Sequence, residues 1–244
     1  MPTVLLTPEL LAIVWLGAFV GGIATGAAGF AFAVIAASFW LHVLDPLHTT
    51  ALIISVGLFV QGWLIWRMRH HIEPARLWPF IPGCVIGVPL GVYLLTITDF
   101  SVLKAGIGVF MVLYGLYAVA APRLPYVQAG RWADGLVGLV GGVMGGIGGY
   151  SGVVPTMWTQ LRGWPKEVAR GVYQPFILMA QIGTLSLIGG TALDTNALIL
   201  AAATLPPVLA GVLVGWTIYG RLDERRFRQV LGALLVLSGA ALIL

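Results

Sequence analysis

The sequence predicts an all-α integral membrane protein built from two inverted repeats. Each repeat is expected to be a broken, re-entrant helical hairpin followed by three transmembrane helices. Three observations lead there: too little charge for a water-facing surface, a residue pattern that recurs in both halves, and a one-sided distribution of basic residues.

Of the 244 residues, 59% are hydrophobic and 9% are charged, where a soluble domain carries about 25% charge. So little charge cannot cover a soluble surface, and lipid is the expected solvent. Trp, favoured at membrane interfaces, occurs nine times, and the 33 Gly suit closely packed membrane helices. The net charge of +4 reads as membrane topology. No basic run interleaved with aromatics suggests nucleic acid as a partner. The single Cys84 excludes an internal disulfide or a thiolate metal cluster. No basic region precedes the first apolar run, so Leu10 onward is read as mature membrane helix rather than a signal peptide.

In chain order the apolar stretches are 10–41, 49–66, 77–97, 102–121, 135–161, 171–190, 195–219 and 227–244. All nine carboxylates fall at or near the polar breaks between them, and no hydrophilic segment is long enough for a soluble domain. At an offset of 120, Val20-Gly21-Gly22 meets Val140-Gly141-Gly142, Gly26 meets Gly146, Gly29-Phe30 meets Gly149-Tyr150, and Gln61 meets Gln181. At an offset of 124, Pro82 meets Pro206, Gly87 meets Gly211, Gly91 meets Gly215, and Asp99 meets Asp223. A four-residue insertion in the second half explains the change of offset. The expected organisation is a first membrane repeat at 1–121, a cytoplasmic linker at 122–132 and a second repeat at 133–244.

As one helix, 10–41 would be roughly 48 Å long, too long for a hydrocarbon core of about 30 Å. Folded back near Ala24–Ala28 it gives two arms of roughly 22 Å each, a re-entrant hairpin. For 135–161 the charges decide. If it crosses once, the 13 Lys and Arg divide eight to five. If it enters and returns, 12 share one side and only Lys104 is left on the other, as the positive-inside rule requires. Loops 67–76, 122–132, 162–170 and 220–228 are then cytoplasmic. Five helical segments per repeat, an odd number, make the repeats inverted. The binding site is expected at the midplane, where their discontinuous helices meet.

The candidate site follows from the two glycine-rich turns. Thr25, Gly26, Ala27, Ala28 and Gly29 form one, and Gly145, Gly146, Gly148, Gly149, Tyr150 and Ser151 the other. The helix after each turn begins with unpaired N–H groups and the positive end of its dipole, and small residues let an anion approach. Two such starts would hold an anion without a buried Lys or Arg. Close helix packing is the competing reading, since Gly17/Gly21, Gly22/Gly26, Gly138/Gly142 and Gly145/Gly149 all have GxxxG spacing. Thr25, Tyr150 and Ser151 offer hydroxyls. Gln61 and Gln181 occupy matching positions and either line a path or bind a neighbouring helix. Arg170 and Gln174 begin the helix after the second hairpin, where Arg170 serves as topology anchor or as contact to an anionic substrate. Trp66, Trp78, Trp132 and Trp164 border the basic loops as an aromatic belt.

No GxSxG, HExxH, Walker or zinc pattern is present, and no cofactor or metal is expected. No Asp, Glu or His lies deep in an apolar stretch, so a carboxylate proton relay is not expected. An anion leaving a cell that is negative inside gains about 2.3 kcal/mol per charge per 100 mV, and outward movement needs no other drive.

The VGGIATGAAGF turn at 20–30, its echo VGGVMGGIGGY at 140–150, and the LDP step at 44–46 resemble the sulfite exporter TauE/SafE family over nearly the whole chain. That resemblance implies export of small sulfur-containing anions, such as sulfite, sulfoacetate or other organosulfonates, across a bacterial inner membrane. The first turn has Ala27-Ala28 where the second has Ile147-Gly148, so the halves need not contribute equally. The expectation is a transporter that works by alternating access around a midplane anion site. Its partners are the small anion and the lipid bilayer, with a homodimer left open. Three rivals stand beside it. Electrogenic anion current would separate it from a channel for another small solute. An intramembrane enzyme would need a nucleophile and base, or a metal, within the membrane. Anion binding by the purified chain would count against a structural subunit.

Overall fold

Polar and glycine punctuation becomes helix boundary along the chain. The computed structural model describes residues 8–97, 99–120, 126–192, 195–221 and 223–243. Residues 122–125 of the expected linker, and 193–194 and 222 of the later polar breaks, lie outside these. Among the described residues every element is helical. The first half holds α1 (Pro8–Ala28), α2 (Phe32–Trp40), α3 (Pro46–Met68), a 3-10 turn (Arg69–His71), α4 (Pro74–Leu77), α5 (Phe80–Ile97) and α6 (Phe100–Ala120). The second holds α7 (Arg131–Gly148), α8 (Val153–Leu161), α9 (Lys166–Ala192), α10 (Thr195–Arg221) and α11 (Glu224–Ile243). Among the described residues five helices are long and apolar enough to cross a membrane: Pro8–Ala28, Leu47–His71, Phe80–Ile97, Lys166–Gly190 and Thr195–Arg221.

Both glycine-rich segments reverse the chain. Gly29 (φ 87°) and Gly149 (φ 78°) adopt the left-handed conformation, which glycine enters without a Cβ penalty. Gly29 N–H donates to Thr25 O at 2.6 Å, and Gly149 N–H to Gly145 O at 2.8 Å, the same helix-ending bond in both halves. After the break α2 returns along α1: Trp40 Nε1 donates to Val14 O at 3.0 Å, and Gly17 faces Phe39 and Trp40 while Gly21 faces Phe32. Likewise α8 returns along α7, with Trp158 Nε1 donating to Asp134 Oδ1 at 2.7 Å.

The expected reversal near Ala24–Ala28 and the equal arms are corrected. Thr25–Ala28 stay helical, and the chain turns at Gly29–Ala31. The arms have 21 and nine residues, or about 31 and 14 Å. The reason is packing. Gly22 and Gly26 lie against the backbone of Gly211 and Gly215, so the small residues hold α1 against α10 rather than breaking it.

Contacts recur in pairs at positions that the sequence offsets relate. α1 packs along α10, and α7 along α5. Gly22 meets Gly211 and Gly26 meets Gly215; at the equivalent positions Gly142 meets Gly87 and Gly146 meets Gly91. α3 packs against α9, and α6 against α11, each pairing an element with its own counterpart. The four-residue insertion falls within α9, which has 27 residues where α3 has 23. That is about one extra helical turn.

Candidate functional site

The two breaks meet inside the protein. Gly152 lies against Phe30, and Gly149 against Ala33, Ile53 and Ile54. α9 passes both breaks. Its Arg170 and Tyr173 reach the end of α1, Ile177 touches Gly152, and Ala180 faces Gly145. Gln174 lies between these sets of contacts along the same helix.

Beyond the Gly29 N–H bond to Thr25 O, the carbonyls at the end of α1 and at Gly29 lack helical donors, and side chains of α9 and α3 supply them. Arg170 Nη1 and Nη2 each donate to Gly26 O at 3.2 Å, and Nη2 reaches Thr25 O at 3.5 Å. Tyr173 Oη donates to Ala28 O at 2.6 Å, and Gln61 Nε2 to Gly29 O at 3.2 Å. Arg170 is fully buried, which corrects the expectation of a site without a buried cation. Its charge sits at the negative end of the α1 dipole. It also lies over the rings of Tyr219 (4.2 Å) and Trp216 (5.1 Å). Among the described residues Arg170 forms no ion pair.

Among the described residues the second break lacks this polar collar. The counterparts of Arg170, Tyr173 and Gln174 at an offset of 120 are Thr50, Ile53 and Ile54. Tyr150 is buried against Gly148, and Ser151 against Gly145. The Gln181 amide lies against Gly57. α7 ends instead on its own backbone, with Tyr150 N–H reaching Met144 O at 3.2 Å.

The helices leading away from the breaks start inside the protein without side-chain caps, α2 after Ala31 and α8 after Gly152. Around them several buried polar atoms have no partner among the described residues: Thr25 Oγ1, Ser151 Oγ, Arg170 Nε, the Oε1 atoms of Gln61 and Gln181, and both amide atoms of Gln174. Buried polar groups in folded proteins are nearly always satisfied. This mixed set of orphan donors (Thr25, Ser151, Arg170 Nε, Gln174 Nε2) and orphan amide acceptors (the Gln Oε1 atoms) therefore marks where water or a polar ligand would sit.

The sequence candidates divide accordingly. Thr25, Gly29, Gln61, Ser151, Arg170 and Gln174 surround or face the breaks. Gly26 and Ala27 lie in the α1 face packed on α10, and Gly146 in the α7 face packed on α5. Tyr173, Trp216 and Tyr219 were not singled out from sequence. Tyr173 had one signal, its position three residues after Arg170 and so on the same helix face. The two α10 aromatics had none.

The family profile described as Sulfite exporter TauE/SafE matches residues 14–242. Neither a curated protein nor a solved structure gave a match.

Proposed function

The chain belongs to the sulfite exporter TauE/SafE family, a family of membrane transporters, and we propose that it moves small sulfur-containing anions, such as sulfite or an organosulfonate, outward across a bacterial inner membrane. The observation that carries this reading is the meeting of two interrupted hairpins. It brings uncapped helix starts together with the orphan donors of Thr25, Ser151, Arg170 and Gln174. Sulfite and sulfonate oxygens accept hydrogen bonds from these donors, with water left to serve the orphan Gln oxygens.

In this reading the two repeats are inverted, and the substrate is held near the midplane at the starts of α2 and α8. Arg170 stays charged against α1, with its Nε facing the guest. Access alternates as one hairpin rocks against the other. The equivalent pairings of α1 with α10 and α7 with α5 support such a symmetric exchange.

Proteoliposome uptake of labelled sulfite and short organosulfonates tests the proposal. Saturable movement that Gln174→Ala weakens is expected. Absence of both binding and movement for every sulfur anion tried would defeat the substrate assignment. Unsaturable flux of unrelated solutes would favour a channel.

A further inference from the structure

A second basic site lies apart from the hairpin breaks. A pocket of about 390 Å³ is lined by Ala75, Arg76, Pro79, Arg131, Asp134, Arg162 and Trp164. It joins α4 and the loop after it, the start of α7, and the loop between α8 and α9. Three arginines and one aspartate line it, and Asp134 Oδ1 accepts from Trp158 Nε1 at 2.7 Å.

Arg76 is paired with Glu73, whereas Arg131 and Arg162 form no ion pair among the described residues. Arg76 lies 4.9 Å from the Trp164 ring centre and Arg162 lies 5.7 Å from it, so one indole carries both cations. Arg162 also donates through Nη1 to Ala129 O. Arg76 has one neighbouring acid, Glu73, at 2.6 Å, itself partly exposed. Arg131 is exposed and has no side-chain partner among the described residues. Arg131 and Arg162 leave the pocket net positive beside Asp134 and the Arg76–Glu73 pair, and the planar guanidinium fork matches phosphate oxygens.

Trp132 (71% exposed) follows Arg131, and Trp78 (66% exposed) precedes Pro79. Large exposed indoles at helix ends suit the headgroup layer of a bilayer. A freely soluble anion would gain nothing from them. We infer that this pocket binds the phosphodiester headgroup of an anionic phospholipid. The inference needs the helices to span a bilayer, but it does not depend on which solute the hairpins carry.

The full chain, purified in neutral detergent and stripped of lipid, is titrated with phosphatidylglycerol, phosphatidylcholine or soluble glycerol phosphate while thermal unfolding is followed. Phosphatidylglycerol alone should stabilise it, as ligand binding to the folded state requires. Arg131→Gln should weaken that lipid about tenfold, the worth of a charged hydrogen bond. Adding Arg76→Gln should abolish the response. Because Arg162 also holds the 129 backbone, it is left intact, and native mass spectrometry of the Arg131→Gln protein counts retained lipid as a second readout. Equal stabilisation by phosphatidylcholine, or an unchanged response in the double variant, would overturn the inference. Stabilisation by glycerol phosphate alone would make it a soluble-anion site and overturn the lipid assignment. Sulfite uptake is measured separately, so failure here leaves the transport reading standing.

Discussion

Arg170 and Gly26 are 144 residues apart in the chain, yet both terminal nitrogens of Arg170 donate to the Gly26 carbonyl at 3.2 Å. The contact ties the helix after the second hairpin to the end of the first hairpin's long arm. It also brings the one fully buried cation of the described core to the break.

Replacing that cation separates fork from charge. Arg170→Lys keeps the charge but cannot reach two directions at once. It should lose about 1–3 kcal/mol, the cost of leaving buried carbonyls unsatisfied, and impair sulfite uptake. Tyr173→Phe removes only the bond to Ala28 O and should cost about 1 kcal/mol. Thermal unfolding and proteoliposome uptake on the same preparations check both. An Arg170→Lys protein as stable and active as the parent would remove the collar from the mechanism.

The orphan donors make a prediction of opposite balance. Ser151→Ala and Gln174→Leu delete polar atoms with no protein partner among the described residues. They should leave the unfolding temperature unchanged or raised, while weakening the apparent affinity for sulfite about tenfold. Concentration-dependent uptake reads the second effect. Parallel loss of stability would mean that these side chains are structural.

A glycine packed against a neighbouring backbone and one facing open space should respond differently. At Gly26 an added methyl runs into the Val212 carbonyl, and Gly26→Ala should destabilise by about 1–3 kcal/mol. At Gly62 nothing lies within 4 Å of the added carbon, and Gly62→Ala should stabilise α3 by about 0.5–1 kcal/mol. Unfolding curves of the two variants decide the matter. Gly26 is accordingly a poor probe of substrate binding, since a change there disturbs packing first.

Asp45 supplies a pH-dependent cap. Burial tends to raise its carboxyl, but the backbone N–H and imidazole of His48 and the N–H of Leu47 outweigh it and hold the group below the ordinary aspartate range. A lowered folded value means the stabilisation is present above the unfolded value, near about pH 4, and is lost as pH falls through the folded one. Asp45→Ala should therefore cost about 1 kcal/mol at neutral pH, toward the lower end because the site is open to water. The gap between variant and parent should close in acid. A gap that persists at pH 2 would contradict the cap.

Much of this was legible in the chain because membrane helices leave a coarse trace. Low charge, apolar runs and the glycine-rich turns announced helices and hairpins, whereas the Gly22–Gly211 and Gly142–Gly87 contacts emerge only from the packing. The position of the first reversal was misplaced because Gly26 and Gly29 look alike in sequence. Only packing tells them apart, one lying against Gly215 and the other turning left-handed. Arg170 could be read as a loop anchor because its partners, the end of α1 and the α10 aromatics, are far away along the chain. No local pattern reports that Trp216 and Tyr219 will cover it.

The unlike surroundings of Gly29 and Gly149 carry a further consequence. Arg170 and Tyr173 crowd the first, Ile53 and Ile54 the second. If the proposed substrate sits between these breaks, it meets one wet wall and one oily wall, which treat it as an arrow rather than a sphere. A molecule with a sulfonate head and a short carbon tail satisfies both walls at once, whereas a bare oxyanion leaves the greasy one idle. Divergence between twin halves would then have furnished a preference for amphiphilic cargo.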